Sequence, residues 1–205
     1  MSKYGHKPHH WFEAIVNKLG GEERADAFLR DELSVCEPTR SWREEDGVIY
    51  FSVTSDGTTG EDWIERLSRT DVRIGVHAKQ MLRSPDFKPT NGMTTEVAVL
   101  KGMLFNAQNR TTKNIRSKAK KRKLSNPNAE LACLIREQFT DNEIEAMGLE
   151  NIMTMHEPLP TFCRDLNLLF AGRYSVLNAC TGMPDAKWQV GSGFAFAVSQ
   201  VSSHT

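Results

Sequence analysis

Hydrophobic residues recur with a helical period at the start of the chain and again after residue 59. Residues 11–33 predict two short amphipathic helices, which the pair Gly20-Gly21 separates. Residues 48–53 form a run rich in β-branched and aromatic side chains between two Asp-Gly turn signals, which predicts a buried strand. A third amphipathic helix is expected over residues 60–69, with Thr59 as its N-cap.

The middle of the chain is less regular. Residues 77–84 predict a short helix that ends before Pro85, and a loop marked by Pro and Asn-Gly signals follows. The dense apolar run at residues 95–105 fits either a helix or a buried strand, and we favour a helix. Residues 125–139 predict a helix that begins near Asn126.

A capping box begins one more short helix. Thr140 and Glu143 have the spacing of such a box, and Gly148 marks the C-terminal end of the helix. Beyond residue 150 the helical period disappears, and short stretches with strand character dominate to the end of the chain. The order of helices and one early strand, followed by a β-rich C-terminal portion, predicts an α+β fold.

The length of 205 residues is typical of a single domain. We expect an N-terminal helical segment at residues 1–45 and a core at residues 46–205, with a helical, basic insertion at about 76–125. Hydrophobic residues make up 39% of the chain, and 26 basic residues balance 26 acidic ones. This composition excludes a disordered chain, a collagen-like chain and a disulfide-stapled miniprotein.

Neither a membrane span nor a cleaved signal is expected. No apolar run approaches the roughly 20 residues of a spanning helix, and the first residues contain no apolar signal core. We therefore expect no membrane insertion. A cytoplasmic and a virion-associated location both stay open.

The thiols and histidines predict neither a metal site nor a cofactor. Cys36, Cys133, Cys163 and Cys180 contain no CxxC pair, so four reduced thiols are expected. His156 precedes Glu157, which allows an acid–base pair, but a buried, hydrogen-bonded histidine at a strand end is the favoured interpretation. The chain also lacks GxSxG, HExxH, P-loop and strand-associated GxGxxG motifs, so no enzyme activity is predicted.

A cationic run without any acidic residue extends from residue 110 to residue 123. Its basic residues are Arg110, Lys113, Arg116, Lys118, Lys120, Lys121, Arg122 and Lys123. Such a run can neutralise nucleic-acid phosphates, which gives an alternative function. A solvated helix face is favoured, because the charges surround the expected helix and no aromatic residues are interleaved for base stacking.

The tail at residues 165–200 carries an ordered set of motifs. LL-x-A-x-R is followed by L-x-A, then by PD-x-KW, and finally by GFAFAV. This order resembles the closing part of C-type-lectin-like domains of the formylglycine-generating-enzyme branch. It is similar in particular to the variable proteins of diversity-generating retroelements, in which scattered codons are mutated during reverse transcription. The preceding chain contains GVIYFSVTSDGTTGEDWI, SPDFKPTNG and AELACLIRE and in these segments resembles a set of uncharacterised prokaryotic proteins, which implies no known activity.

The resemblance implies a C-type-lectin-like scaffold and a variable region at about residues 165–198. The implied scaffold residues are Leu168, Leu169, Ala171, Arg173, Leu177, Ala179, Pro184, Asp185, Lys187, Trp188, Gly193, Phe194 and Phe196. The implied variable, ligand-binding positions are Phe170, Gly172, Tyr174, Ser175, Val176, Asn178, Cys180, Thr181, Gly182, Met183, Ala186 and Gln189. Arg173 is assigned as a buried donor to backbone carbonyls, and Trp188 as a core aromatic.

Strand geometry agrees with this division, because alternate side chains of an extended chain point to opposite faces. Leu169 and Ala171 can contact the body of the domain while Phe170 faces outward. Aromatic residues among small polar ones are typical of recognition surfaces. We therefore predict a non-enzymatic recognition protein with an unknown macromolecular ligand, most simply a protein.

A formylglycine-generating-type enzyme using Cys163 and Cys180 is a less favoured alternative, because their spacing does not match that family.

Overall fold

The computed structural model describes residues 9–30, 32, 41–159 and 168–198. These residues belong to two units, Met1–Arg40 and Ser41–Thr205, whose boundary lies near the expected end of the N-terminal helical segment. In the first unit, α1 (His9–Leu19) and α2 (Glu22–Leu29) pack against each other. Gly20 and Gly21 separate them with φ angles of 95° and 103°, as glycine permits. The two predicted helices are confirmed.

The second unit is built on one mixed sheet. In the part of the unit that the structure describes, the nine strands are β1 (Arg43–Glu45), β2 (Val48–Asp56), β3 (Arg73–Ile74), β4 (Asn91–Lys101), β5 (Leu124–Ser125), β6 (Asn151–Thr154), β7 (Leu168–Gly172), β8 (Val176–Cys180) and β9 (Ser192–Val198). The strand order is β1-β2-β4-β9-β6-β7-β8-β3, and β5 also pairs with β9. The β6–β9 and β3–β8 pairs are parallel, and the other pairs are antiparallel.

Short helices cover both faces of this sheet. They are α3 (Gly60–Ser68), α4 (Val76–Leu82), α5 (Thr112–Lys121), α6 (Leu131–Gln138) and α7 (Asp141–Ala146), with a 3-10 turn at Gly102–Leu104. The predicted N-cap of α3 and the capping box of α7 are confirmed. None of the helices in the described part of the chain is long and apolar enough to cross a membrane.

Alternate residues of the central strand β4 enter two separate apolar layers. Val97 and Val99 pack in the layer that α6 and α7 cover, whereas Ala98 and Leu100 pack in the layer beneath α5. The helix favoured for residues 95–105 is therefore wrong. Because both faces of this strand are buried, its sequence lacks the polar alternation that marks a half-exposed strand.

This strand also changes the organisation expected for the middle of the chain. Residues 76–125 are more than a helical insertion, because β4 lies within them and pairs with β2 on one side and β9 on the other. Among the described residues, five strands rather than one precede residue 126. Helix α6 begins at Leu131 instead of near Asn126. The α+β class itself is confirmed.

Candidate recognition site

The β7–β8 hairpin divides its side chains between the two faces of the sheet. Directly opposed residues share a face, so the pairs Phe170–Asn178 and Gly172–Val176 lie on the α5 side. Leu169 belongs to the layer beneath α3 and α4, on the opposite face. Phe170, Val176 and Asn178 are half-buried, in contrast to the fully buried Leu169.

The hairpin tip has a backbone conformation that is unfavourable for its residues. Tyr174 and Ser175 have φ angles of 65° and 50°, in the left-handed region that side chains with a Cβ seldom adopt. The amide of Ser175 donates to Asp141 Oδ2 at 2.8 Å, and Arg73 N–H donates to the Ser175 carbonyl at 2.7 Å. These contacts hold the tip, and 76% of Tyr174 stays exposed.

An ion pair between the buried Arg136 and the half-buried Asp141 supports the tip. Arg136, whose side chain is 3% exposed, places Nη1 at 2.7 Å from Asp141 Oδ1. The same guanidinium donates to the carbonyls of Gly172 and Phe139. Burial acts to raise the pKa of Asp141, but hydrogen bonds from Ser175 N–H and Arg136 outweigh it and lower the pKa below its usual value. Asp141 is thus held as a carboxylate that accepts from the tip.

Substitution of Ser175 tests the conformation of the tip. Ser175→Gly should leave the free energy of unfolding unchanged or raise it by up to about 1 kcal/mol, because glycine adopts positive φ without strain. Ser175→Val should lower it by roughly 1–2 kcal/mol, because a β-branched side chain is least tolerant of this region. Urea denaturation of both variants measures the difference. Equal stability of the two would contradict the left-handed backbone at residue 175.

A shallow cavity of about 350 Å³ opens beside the tip. Phe170, Tyr174 and Val176 line it together with Glu150 and the neighbouring strand β6. The cavity therefore brings together positions from both strands of the hairpin and from its tip. It combines aromatic surface with the carboxylate of Glu150 and the exposed Arg173, which suits contact with a side chain of a partner molecule.

The loop between β8 and β9 lies on the same side of the sheet as α5. These two strands run in the same direction with β7 and β6 between them, so residues 181–191 must return along the length of the sheet. Lys113 N–H at the beginning of α5 donates to the Pro184 carbonyl at 2.9 Å. At the end of the loop, Glu150 N–H donates to the Gly191 carbonyl at 2.7 Å. Because Glu150 also lines the cavity, this end of the loop lies beside it.

The implied variable positions differ in exposure. Tyr174, Thr181, Met183 and Gln189 are exposed. The positions of intermediate exposure are Phe170, Ser175, Val176, Asn178, Cys180, Gly182 and Ala186. Gly172 is buried, and a Cβ there would lie 3.0 Å from the Phe170 ring, so a larger side chain requires that ring to move.

Arg173 does not have the role assigned to it from the sequence. Its side chain is 44% exposed, and its guanidinium lies 3.6 Å from Glu145. Arg136 is the buried donor to backbone carbonyls instead. A signal for this was present in the sequence, because Arg136 follows the apolar run 131–135 that forms the buried part of α6.

Trp188 is half-buried and connects the loop to α5. Its indole Nε1 donates to Thr112 Oγ1 at 3.0 Å, and its ring packs edge-to-face on Phe194 at 5.8 Å. Phe194 and Phe196 are buried in the layer beneath α5. Pro184, Asp185 and Lys187, also implied to be scaffold, are exposed.

The thiol chemistry considered from the sequence rests on Cys163 and Cys180. Cys163 lies outside the described residues. Burial raises the pKa of Cys180 to about 12, so its thiol stays protonated, and its sulfur lies 3.7 Å from the sulfur of Met153. Within residues 9–30, 32, 41–159 and 168–198, no three His, Cys, Asp or Glu side chains are grouped so that they could hold a metal ion.

His156 is buried and hydrogen-bonded at the end of β6. Its Nε2 accepts from Leu169 N–H at 3.1 Å, and Nδ1 lies 2.6 Å from the Glu157 carbonyl. Burial lowers the pKa of this imidazole to about 4. The favoured interpretation of His156 as a hydrogen-bonded, buried residue is confirmed, and the side chain joins β6 to β7.

The lowered pKa of His156 makes folding dependent on pH. The unfolded chain binds a proton at His156 near pH 6.5, whereas the folded chain binds it only near pH 4. The contribution of the neutral imidazole to the free energy of unfolding is therefore fully present above pH 6.5 and is lost as the pH falls towards 4. The loss should be on the order of 2–4 kcal/mol. Urea denaturation between pH 7 and 4 should show this fall, and His156→Gln should show a smaller one. An equal fall in both proteins would assign the pH dependence to carboxylates.

A larger cleft of about 840 Å³ lies at the other end of the sheet, where the first residues of β4 extend beyond β9. Its walls include hydroxyl and amide side chains and the 1% exposed Glu130. The Glu130 carboxylate accepts from Thr90 N–H and Thr90 Oγ1 at 2.8 and 2.9 Å. The buried carboxylate of Glu130 therefore has a structural role, because it holds Thr90 in place.

Comparison of the chain with protein-family models, with curated proteins and with solved structures finds no match. The description of the site therefore depends on the geometry above. That geometry brings the hairpin tip, the half-buried residues of β7 and β8 and the end of the following loop to one side of the sheet.

Proposed function

We propose that this protein is a non-enzymatic recognition protein whose C-terminal region presents a diversified surface to a macromolecular ligand. In this proposal the scaffold is C-type-lectin-like and the chain is a variable protein of a diversity-generating retroelement. The observation that carries it is the position of Tyr174, which is 76% exposed beside the cavity that Phe170 and Val176 also line.

Anchoring of the hairpin supports a binding role. Tyr174 lies on a tip held by Asp141, Arg73 and, through Asp141, by the buried Arg136. A tip that is already ordered loses little conformational entropy when a ligand binds, so the exposed aromatic ring contributes more of its contact energy to affinity. Strain in a non-glycine tip held by several bonds is also typical of functional loops.

The shape of the surface favours a macromolecule over a small metabolite. The cavity of about 350 Å³ is shallow and open, and Met183 and Gln189 on the neighbouring loop are exposed. Small-molecule sites enclose most of their ligand, whereas protein interfaces combine an aromatic anchor with a polar rim. A protein ligand that contacts the Tyr174 ring fits this arrangement.

The DNA flanking the gene gives the direct test. The proposal expects a near-copy of the codons for residues 165–198 that differs almost only at adenines, next to a reverse-transcriptase gene. Such a repeat should differ from the gene at codons such as those of Phe170, Tyr174 and Val176, and should match it at those of Leu169 and Phe194. Absence of the repeat and of the reverse transcriptase would overturn the proposal.

A further inference from the structure

The eight basic side chains of residues 110–123 separate into two groups in the structure. Arg110, Arg116 and Lys118 each donate to backbone carbonyls, at 2.8–2.9 Å for the shortest bond of each. These bonds attach the 3-10 turn and the chain just after β6 to α5 and to the residues that precede it. These three side chains are therefore part of the architecture.

The other five basic residues form an exposed set. We define this basic patch as Lys113, Lys120, Lys121, Arg122 and Lys123. In the described part of the chain their side chains make no hydrogen bond and no ion pair, whereas Arg43, Arg66 and Arg83 each pair with carboxylates. The patch thus differs from most exposed arginines of this unit in leaving its charge uncompensated.

Helix geometry places Lys113 and Lys120, two members of the patch, on one side of α5. Ile115 and Ala119 are buried at 0% and 1% exposure, which turns the opposite face outward. Lys113 and Lys120 are seven residues apart, which places them on the same face at a separation of roughly 10 Å. The remaining cations follow at the C-terminal end of the helix. The basic residues of this segment therefore divide into an inner group, which binds backbone carbonyls, and an outer group, which is exposed.

We propose that the basic patch binds the phosphate backbone of double-stranded nucleic acid, independently of base sequence. Lysine and arginine side chains without acidic partners neutralise phosphates and release counterions.

Bilayer binding is disfavoured because the apolar residues of α5 face the core, so none remains to enter the lipid. Single strands are disfavoured because no aromatic residue belongs to the patch, and unpaired bases need a stacking surface. The nucleic-acid function considered from the sequence thus narrows to five residues, of which Lys113 also contacts the loop that carries Met183 and Ala186.

Fluorescence anisotropy with a labelled 20-base-pair DNA duplex tests this proposal on the full chain. With four to five phosphates neutralised, the logarithm of the association constant should fall against the logarithm of the salt concentration with a slope of about −4. The affinity should therefore fall by several hundred-fold between about 50 and 200 mM salt. Lys120→Gln/Lys121→Gln/Lys123→Gln should reduce the slope to about −2 and the affinity at about 50 mM salt at least tenfold. Absence of binding by the wild type at about 20 mM salt would overturn the proposal.

Matched variants separate the patch from total charge and from folding. Lys18→Gln/Lys79→Gln/Lys88→Gln removes the same charge elsewhere and should bind like the wild type. Lys120→Arg/Lys121→Arg/Lys123→Arg keeps the charge and should retain the salt slope. Thermal melting of each variant checks that α5 is folded. Equal loss in both glutamine variants would overturn the assignment to the patch.

Two competing probes complete the experiment. A single-stranded 20-mer should bind more weakly than the duplex, and vesicles of phosphatidylserine and phosphatidylcholine should not bind at about 100 mM salt. Tighter binding to the single strand, or to the vesicles alone, would contradict the proposal of a duplex ligand.

Discussion

Arg136→Met should lower the free energy of unfolding by about 3–5 kcal/mol. The guanidinium it removes is buried and serves the Asp141 carboxylate and the carbonyls of Phe139 and Gly172 at once. Loss of one partner leaves buried acceptors without a donor and a carboxylate without its counter-charge, which is the costly way to break such a pair. Urea denaturation at pH 7 measures the change.

A surface arginine provides the matched control. Arg66 pairs with Asp56 and Glu137 but its side chain is 42% exposed, so Arg66→Met should cost less than about 1 kcal/mol. Arg136→Met should also speed hydrogen exchange at the amide of Ser175, because Asp141 loses the partner that orients it. A loss below about 1 kcal/mol for Arg136→Met would show that the ion pair does not support the hairpin.

Local signals in the sequence were sufficient wherever a helix or strand is defined by its own residues. Thr140 and Glu143 satisfy each other's backbone donors, so the beginning of α7 is readable from four consecutive positions. The same holds for Thr59 at α3 and for Gly20-Gly21 between α1 and α2. In these segments the local preference and the tertiary fold agree.

Residues that depend on distant partners were not predictable in this way. Strand β4 is recognisable only once β2 and β9 are known to flank it, because burial on both faces removes its alternation. Likewise, Arg136 has the role that was expected of Arg173. The apolar run before Arg136 is a local hint of its burial, but the carbonyl that it binds is determined by the packing of α6 against β7.

The candidate site was predictable in part for the same reason. Alternation along β7 and β8 is local, so the placement of Phe170 and Leu169 on opposite faces follows from the sequence. The burial of Gly172 does not follow, because it depends on the carbonyl contact with Arg136 and on the neighbouring Phe170 ring. Alternation fixes the face of a residue, and packing determines its exposure.

Trp188→Ala should cost about 3 kcal/mol of unfolding free energy, whereas Tyr174→Ala should change it by less than about 0.5 kcal/mol. Trp188 packs on Phe194 and bonds to Thr112, so its removal leaves a cavity beneath the loop and an unpaired hydroxyl at α5. Tyr174 is 76% exposed and loses only surface contacts.

Trp188→Phe separates packing from hydrogen bonding in this comparison. It retains most of the ring contact with Phe194 and loses only the bond to Thr112, so its cost should be near 1 kcal/mol. Chemical denaturation of the three variants under one condition gives the order Trp188→Ala, Trp188→Phe, Tyr174→Ala from most to least destabilised. Similar losses of unfolding free energy for Trp188→Ala and Tyr174→Ala would mean that the hairpin tip is itself part of the folded core. The assignment of Trp188 as a supporting residue and of Tyr174 as a free contact residue would then be wrong.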